Sequence, residues 1–491
     1  MPVPLRPALH SEPVVSLADR AAALPAVNTF AFLLLVLFLG LIPFPYGAVT
    51  PTGTVVLQCS AFVIGALTFL SLPRQSRIGL SMIPLSALVL IAALGAIQLV
   101  PLSINTLRSI APLSARVYSD ANEIFGLFGR KPIAARISIA PWDTQVILLL
   151  TLAYAVLFVS AAILANTRRR RRIATAVFLA SVVVHILYST ATTAAEERLH
   201  GTYINPNHFA GYIQIALAFA FGIVLREILH NRERASGIED MGERFEKRAL
   251  PLVAPVLLFG VLAAGIGLTR SRGGILAAAL TTIIVLTLAP LHQARPGRRR
   301  VIAIALIVAV FAGVLFVAFT TGEAPILRFL AADPRDVGSD ERVELWRASV
   351  AAWRLSPTFG AGLGAFREAF RRTQPASVEG LVEEAHNDFL QMLVTGGWAG
   401  ATLVAIAFAS MFVLLVRAWR RQEHREESAF ALAGIGALLS LIIHGLVEFN
   451  MSIPAIPATL AVMIGIAWAA ATTNGESRTR SKPQAVPRTP N

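Results

Sequence analysis

Residues 386–421 read HNDFLQMLVTGGWAGATLVAIAFASMFVLLVRAWRR. A polar His-Asn-Asp triplet opens this stretch, residues 389–416 carry no charged side chain, and Arg417, Arg420 and Arg421 close it. About 20 apolar residues in a helix suffice to cross a ~30 Å hydrocarbon core. Only a helix satisfies its own backbone polar groups within one such segment. The stretch therefore reads as a membrane-spanning helix with a histidine at one surface and arginines at the other.

The same test, carried outward along the chain, gives about twelve spans. They fall near 29–46, 53–72, 79–101, 145–165, 173–192, 207–229, 250–269, 273–291, 301–320, 389–416, 429–448 and 453–471. The expected fold class is all-α, a polytopic bundle of about twelve transmembrane helices. Composition agrees: 55% of the 491 residues are hydrophobic and 15% charged, against about 25% charged in a soluble domain. The expected organisation is a cytoplasmic tail over 1–28, spans one to nine over 29–320 with an outer-face segment at 102–144, a large loop at 321–388, spans ten to twelve over 389–471, and a disordered tail over 472–491. The first 28 residues lack the long apolar core of a cleaved signal.

Alternation assigns each loop to a side. Five short loops on one side hold twenty basic residues, among them Arg168 to Arg172 and Arg298 to Arg300. The four short loops opposite hold only Arg198, Arg270 and Arg272. The positive-inside rule makes the first side cytoplasmic, with both termini inside. The net charge of +14 is thus mostly a topology signal and headgroup attraction, and no nucleic-acid partner is expected. The single Cys59 excludes a disulfide within the chain and a cysteine metal cluster, and reads as a packing residue.

The span interiors are nearly free of charge. An ion-coupled transporter usually buries ionisable groups near mid-membrane; here they collect at the outer helix ends. Arg198 precedes HGTYINPNHFAGY (200–212), where Asn205, Asn207 and His208 sit at a helix start. Arg270 and Arg272 flank a tight turn between spans seven and eight. In the loop 321–388, Val343, Trp346, Val350 and Trp353 recur at helical spacing and are expected to form an apolar face. Arg347 and Arg354 share another face, and Arg342 lies near the helix start. SPTFGAGLG (356–364) then reads as a turn that lets the backbone approach something closely. His386 closes the loop beside Asn387 and Asp388. Imidazole titrates near neutral pH and can take a proton from a hydroxyl. His185, mid-span, reads as a satisfied core histidine. His444 and Glu448, four apart, read as one helical face at the outer end of span eleven, supporting the site.

Arginines gathered above an apolar bundle suit a lipid-borne diphosphate, because the guanidinium fork matches phosphate oxygens in a bidentate way. If the diphosphate leaves, the same charges stabilise the transition state. No acidic pair of the DxD kind lies among the outward-facing residues, so no metal site is expected. No P-loop or dinucleotide-binding glycine pattern is present, and no cofactor is expected.

Arg198 with GTYINPNHFAGY, the SRGG turn, RVELWRASVAAWRLSPTFGAGLGAF and HNDFLQMLVTGGWAG resemble, in order, the blocks of the O-antigen ligase / Wzy polymerase superfamily. The resemblance covers the chain from about span five to span twelve. It implies an inverting, metal-independent glycosyltransferase with a GT-C-like membrane fold, acting at the periplasmic face of a bacterial inner membrane. The implied donor is an undecaprenyl-diphosphate-linked glycan. The implied acceptor is lipid A–core for a ligase, or a second lipid-linked glycan for an O-antigen or exopolysaccharide polymerase; membrane lipids complete the partners. The family's loop histidine falls on His386, and its diphosphate-contacting arginines on Arg198, Arg272 and Arg342, with Arg270 and Arg347 as neighbours. Asn205, Asn207, His208, Asn387, His444 and Glu448 are expected to support them. A lipid-linked oligosaccharide flippase or other transporter is the reading from a different class.

Overall fold

The computed structural model describes residues 24–73, 82–194, 197–234, 250–288, 338–421 and 425–472. Residues 1–23 and 473–491 of the expected tails, expected span nine (301–320) and the first part of the expected large loop lie outside the described residues, while 25–28 of the expected N-terminal tail already belong to the first helix. Within them the chain is all-helical, with no strand.

In chain order the helices are α1 (Pro25–Leu41), α2 (Pro51–Leu70), α3 (Met82–Gln98), α4 (Ile104–Ile110), α5 (Pro112–Leu127), α6 (Pro141–Leu164), α7 (Arg168–Thr192) and α8 (Pro206–Arg234). There follow α9 (Leu250–Leu268), α10 (Arg272–Leu288), α11 (Gly338–Arg354), α12 (Phe366–Phe370), α13 (Asp388–Arg421), α14 (Arg425–His444) and α15 (Ala455–Thr472). Eight of these, α2, α6–α9 and α13–α15, are long and apolar enough to cross a membrane; α1, α3 and α10 are shorter apolar helices. The chain is a multi-pass membrane protein.

Local chemistry sets the helix starts. The Thr50 hydroxyl accepts from Gly53 N at 3.1 Å with Pro51 at the first helical position, and the Thr167 hydroxyl accepts from Arg170 N at 3.2 Å. Each satisfies a backbone donor that the first turn leaves orphaned.

Helix α15 is buried along almost its whole length, and α8 is buried on nearly every face through Leu225. These two, with α14, form the middle of the bundle. Lipid tails are as apolar as leucine, so contact between such helices relies on close packing through small residues. A Cβ on Gly465 would lie 2.6 Å from the Phe158 carbonyl of α6, and one on Gly222 would lie 2.9 Å from the Ala429 carbonyl of α14. Cys59 departs from expectation: it is exposed on the outer face of α2, because Leu57 and Ala61 occupy the packed side.

One end of the bundle carries a helical cap. Segment 102–140 and the stretch from α11 to Ala385 share two small apolar cores. Ile139 N donates to Ala361 O at 2.9 Å, and Leu113 N to Leu355 O at 3.3 Å. Gln98, fully buried, ties the cap to the bundle. Its amide nitrogen donates to Phe359 O at 2.7 Å and Thr395 O at 3.1 Å, and its oxygen accepts from Leu363 N at 2.9 Å.

The glycine-rich turn after α11 approaches a break inside α13. Gly397 takes φ 61°, ψ −163° there, a region that essentially only glycine occupies. Trp398 N donates to Pro357 O at 2.8 Å and Gly362 N to Thr395 O at 3.0 Å. A Cβ on Gly360 would sit 2.4 Å from the Thr395 carbonyl, and one on Gly397 would sit 2.5 Å from that of Thr358. Two stretches of backbone cross here with no room for a side chain.

The apolar face of α11 differs from the sequence expectation. Leu345, Ala348 and Ala352 form the buried row, Trp346 and Trp353 flank it, and Val343 is exposed. The cap core recruits the smaller side chains, while the indoles straddle its margin. Trp346 Nε1 donates to Ala385 O at 3.1 Å, and Trp353 packs edge-on against Trp398 at 5.3 Å.

Candidate functional site

Glu448 is the centre of a polar cluster at the capped end. Helix α14 ends at His444 and residues 445–449 form a turn, so Glu448 does not share a helical face with His444 as its spacing suggested. The turn is fixed where Asp388 N donates to Gly445 O at 2.8 Å and to Glu448 O at 3.1 Å. Asn387 Nδ2 also donates to Leu446 O at 2.8 Å.

Three separate stretches reach this carboxylate. Arg342 Nη2, from α11, donates to Oε1 at 2.8 Å, and its Nη1 donates to Val447 O at 3.0 Å. Asn207 Nδ2, from the first turn of α8, donates to Oε1 at 2.6 Å. His386 Nδ1 faces Oε2 at 3.4 Å. Glu448 itself is 2% exposed. Burial pushes its carboxyl up, but the His386 ring, Arg342 and His208 outweigh burial and hold it at about 2. It is a stable anion at neutral pH.

Asn207 extends the cluster. Its Oδ1 accepts from Arg198 Nη2 at 2.6 Å, while Arg198 Nε donates to Thr269 O at 2.9 Å. That second bond places Arg198 beside the turn bearing Arg270 and Arg272. Burial lowers the Arg198 pKa, Glu448 opposes that, and Arg270, Arg342 and Arg272 add to it by repulsion. Arg198 thus lies within electrostatic reach of the other three guanidiniums and of Glu448, and Glu448 in turn pairs directly with Arg342. The turn is anchored from below: a Cβ on Gly273 would meet Val447 at 2.7 Å and the His444 ring at 3.3 Å.

The remaining expected residues fall as follows. Asn205 Oδ1 accepts from Asn207 N at 2.8 Å and so opens α8. His208 is 4% exposed, edge-on to Phe449 at 4.4 Å, and His386 is edge-on to the same ring at 4.7 Å. Asn387 Oδ1 accepts from Phe389 N and Leu390 N, both at 3.0 Å, capping α13. His444 is fully buried. Arg347 is exposed on α11 and makes none of these contacts; five positions from Arg342, it points about 140° away around the helix. His185 is buried with Nδ1 at 2.7 Å from Ser181 O, and its Nε2 has no partner, so it is only half satisfied.

Backbone strain concentrates here. Only four non-glycine residues among those described have positive φ, and two of them are Arg270 (φ 50°) and His386 (φ 48°). Such conformations persist where the surroundings over-determine them, and they gather at functional sites.

Sequence reasoning missed Glu384. Its Oε2 accepts from the Ser452 hydroxyl at 3.2 Å and from the Gln391 amide. Burial pushes its carboxyl up to about 8. Glu384 stands two residues before His386 in the chain and Glu448 meets the ring, burial favouring the protonated form of the first while the second is held ionised; environments that separate acids in this way occur at acid–base sites. Nothing in VEEAHND distinguishes Glu384 from its neighbour Glu383, which is exposed. Among the described residues, no group of three or more His, Cys, Asp or Glu is placed to hold a metal ion.

Residues 256–405 match the family model described as O-antigen ligase, and this supports the O-antigen ligase / Wzy polymerase superfamily. The matched stretch contains Arg270, Arg272, Arg342, Arg347 and His386; Arg198, Asn207 and Glu448 lie outside it. No curated protein matches the chain.

Proposed function

We propose, with the O-antigen ligase match as premise, that this chain transfers a glycan from undecaprenyl diphosphate to lipid A–core at the periplasmic face of a bacterial inner membrane. The observation that carries the reading is the Glu448 carboxylate, which joins His386 to Arg342 and, through Asn207, to Arg198.

In this reading the Glu448 carboxylate accepts a hydrogen bond from the Nδ1–H of His386, which holds the neutral tautomer that leaves Nε2 unprotonated as the base. The acceptor hydroxyl gives its proton to Nε2 as its oxygen bonds to the anomeric carbon. The bond from that carbon to the diphosphate breaks, and its electron pair leaves on the diphosphate oxygen. A single displacement inverts the anomeric configuration. Glu448 stabilises the imidazolium, and Arg198, Arg270, Arg272 and Arg342 stabilise the departing charge in the role a metal ion takes elsewhere. Each well-placed donor of this kind is worth about 3 kcal/mol of barrier.

A polymerase of the same superfamily would use the same chemistry with a lipid-linked acceptor. Gel profiles of a deletion strain separate the two. The ligase reading expects lipid A–core without polymer while lipid-linked chains remain long. Accumulation of single repeats would replace it with the polymerase reading, and an unchanged profile would remove both.

A further inference from the structure

The end of the bundle opposite the cap contains a second feature that the proposed chemistry leaves unused. A cavity of about 580 Å³ lies between α7, α8, α9 and α14. Its wall on α7 is a stripe at helical spacing, Arg172, Ala176, Ala180 and Val184, all four exposed. Small side chains along this stripe leave the space open. The floor is the α8–α14 crossing, where Gly222 meets Ala429. The far walls are apolar, with Phe219, Leu258 and Phe430.

Two observations identify an occupant. The lining runs from Arg172 to Val184, twelve residues or about 18 Å of helix rise, slightly more than half of a ~30 Å hydrocarbon core. That is the depth of one leaflet. The polar groups are at one end only, where Arg172 and Arg226 line the mouth. Arg226 is ion-paired with Glu227, and Arg168 and Arg171, close to Arg172 on α7, are ion-paired with Glu427. A cavity one leaflet deep, apolar below and cationic at its rim, is complementary to a phospholipid with an anionic headgroup.

We propose that this groove is a resident site for an anionic glycerophospholipid of the bilayer, with one acyl chain along α7 and its phosphate at Arg172 and Arg226. The site is independent of the transfer chemistry at the other end and stands or falls separately from it.

The test is native mass spectrometry of the purified full chain titrated with phosphatidylglycerol and phosphatidylcholine. The wild type is expected to hold one phosphatidylglycerol with about fivefold preference over phosphatidylcholine, the effect of about one net positive charge at a rim where Glu227 offsets one arginine. Arg172→Gln with Arg226→Gln should reduce that preference to near unity. Ala180→Trp, on an exposed helix face, should cut the occupancy of both lipids at least about fivefold by filling the groove, with membrane abundance and melting temperature kept at the wild-type level. Equal wild-type affinity for the two lipids, a preference that survives the double substitution, or displacement of phosphatidylglycerol by undecaprenyl phosphate would each overturn the proposal.

Discussion

Each end of the helix bundle buries one carboxylate among arginines, and the two are built differently. At the arginine-rich end, Glu427 is 1% exposed and meets Arg168 at 3.1 Å and Arg171 at 3.7 Å. Both arginines come from a single turn of α7, and Arg171 is fully buried. At the capped end, Glu448 is equally buried, yet its partners come from α11, the first turn of α8 and the segment before α13. Arg342 and His386 remain 38% and 32% exposed. The first arrangement fastens two helices. The second gathers distant stretches of chain around one anion and leaves their polar tips open to a ligand.

Substitutions at the two ends should therefore fail in different ways. The largest effect is expected from His386→Asn, which keeps a residue tolerant of positive φ but removes the base. Transfer should fall about a thousandfold, within the range for general-base loss, with membrane abundance and melting temperature unchanged. Near wild-type turnover would exclude His386 as the base. Glu427→Gln should do the reverse. It leaves Arg171 buried without its anion, a loss of about 3 kcal/mol, visible in thermal unfolding while turnover per folded molecule stays intact.

Glu448→Gln should lower transfer about a hundredfold and also alter the acid limb of stability. The folded carboxyl sits at about 2, below its ordinary value of 4.5, so its contribution is complete above that value and is lost as pH falls through about 2. Wild-type protein should destabilise over that window and the glutamine variant much less. Glu384 has the opposite sign. Raised to about 8, it binds its proton more tightly folded than unfolded, so it subtracts stability as pH climbs from about 4.5 to 8, and Glu384→Gln should stabilise the protein more at pH 8 than at pH 5. Matching pH–stability curves for wild type and either variant would dismiss that assignment.

Smaller effects refine the edges of the cluster. Arg272→Ala should weaken transfer about a hundredfold and Arg272→Lys about tenfold, since lysine keeps the charge and loses the fork; equal activity of the two variants would take Arg272 out of the site. Arg347→Ala should change transfer less than about twofold, because Arg347 is exposed and outside the contact network. A tenfold loss there would mean that the donor extends along α11.

Much of the fold was legible because membrane helices announce themselves through length and the absence of charge. Eleven of the twelve expected spans overlap apolar helices, eight of them long and apolar enough to cross a membrane, and the twelfth lies outside the described residues. The candidate site draws on residue types that stand out in the sequence, arginines and a histidine at outer helix ends. Its centre does not stand out. His444 and Glu448 fit one helical face in the sequence, but the helix stops at His444, and only tertiary contact from Asp388 and Asn387 fixes the turn that follows. The face of α11 was misjudged for a similar reason. Its tryptophans dominate any hydrophobicity reading, whereas the cap core needs the smaller Leu345, Ala348 and Ala352. The SPTFGAGLG turn did announce a close approach, but not to what; its contact with the Gly397 break depends on a helix more than thirty residues away.

The central claim is that His386 and Glu448 act as one unit beside the gathered arginines. A double-substitution cycle on purified, reconstituted protein tests it most directly, with single-turnover transfer from an undecaprenyl-diphosphate-linked glycan as the readout. Groups that act together are strongly non-additive, so His386→Asn with Glu448→Gln should be no slower than His386→Asn alone. If the two losses instead multiply, to about 10⁵-fold from the thousandfold and hundredfold single effects, the residues act independently and the account is wrong.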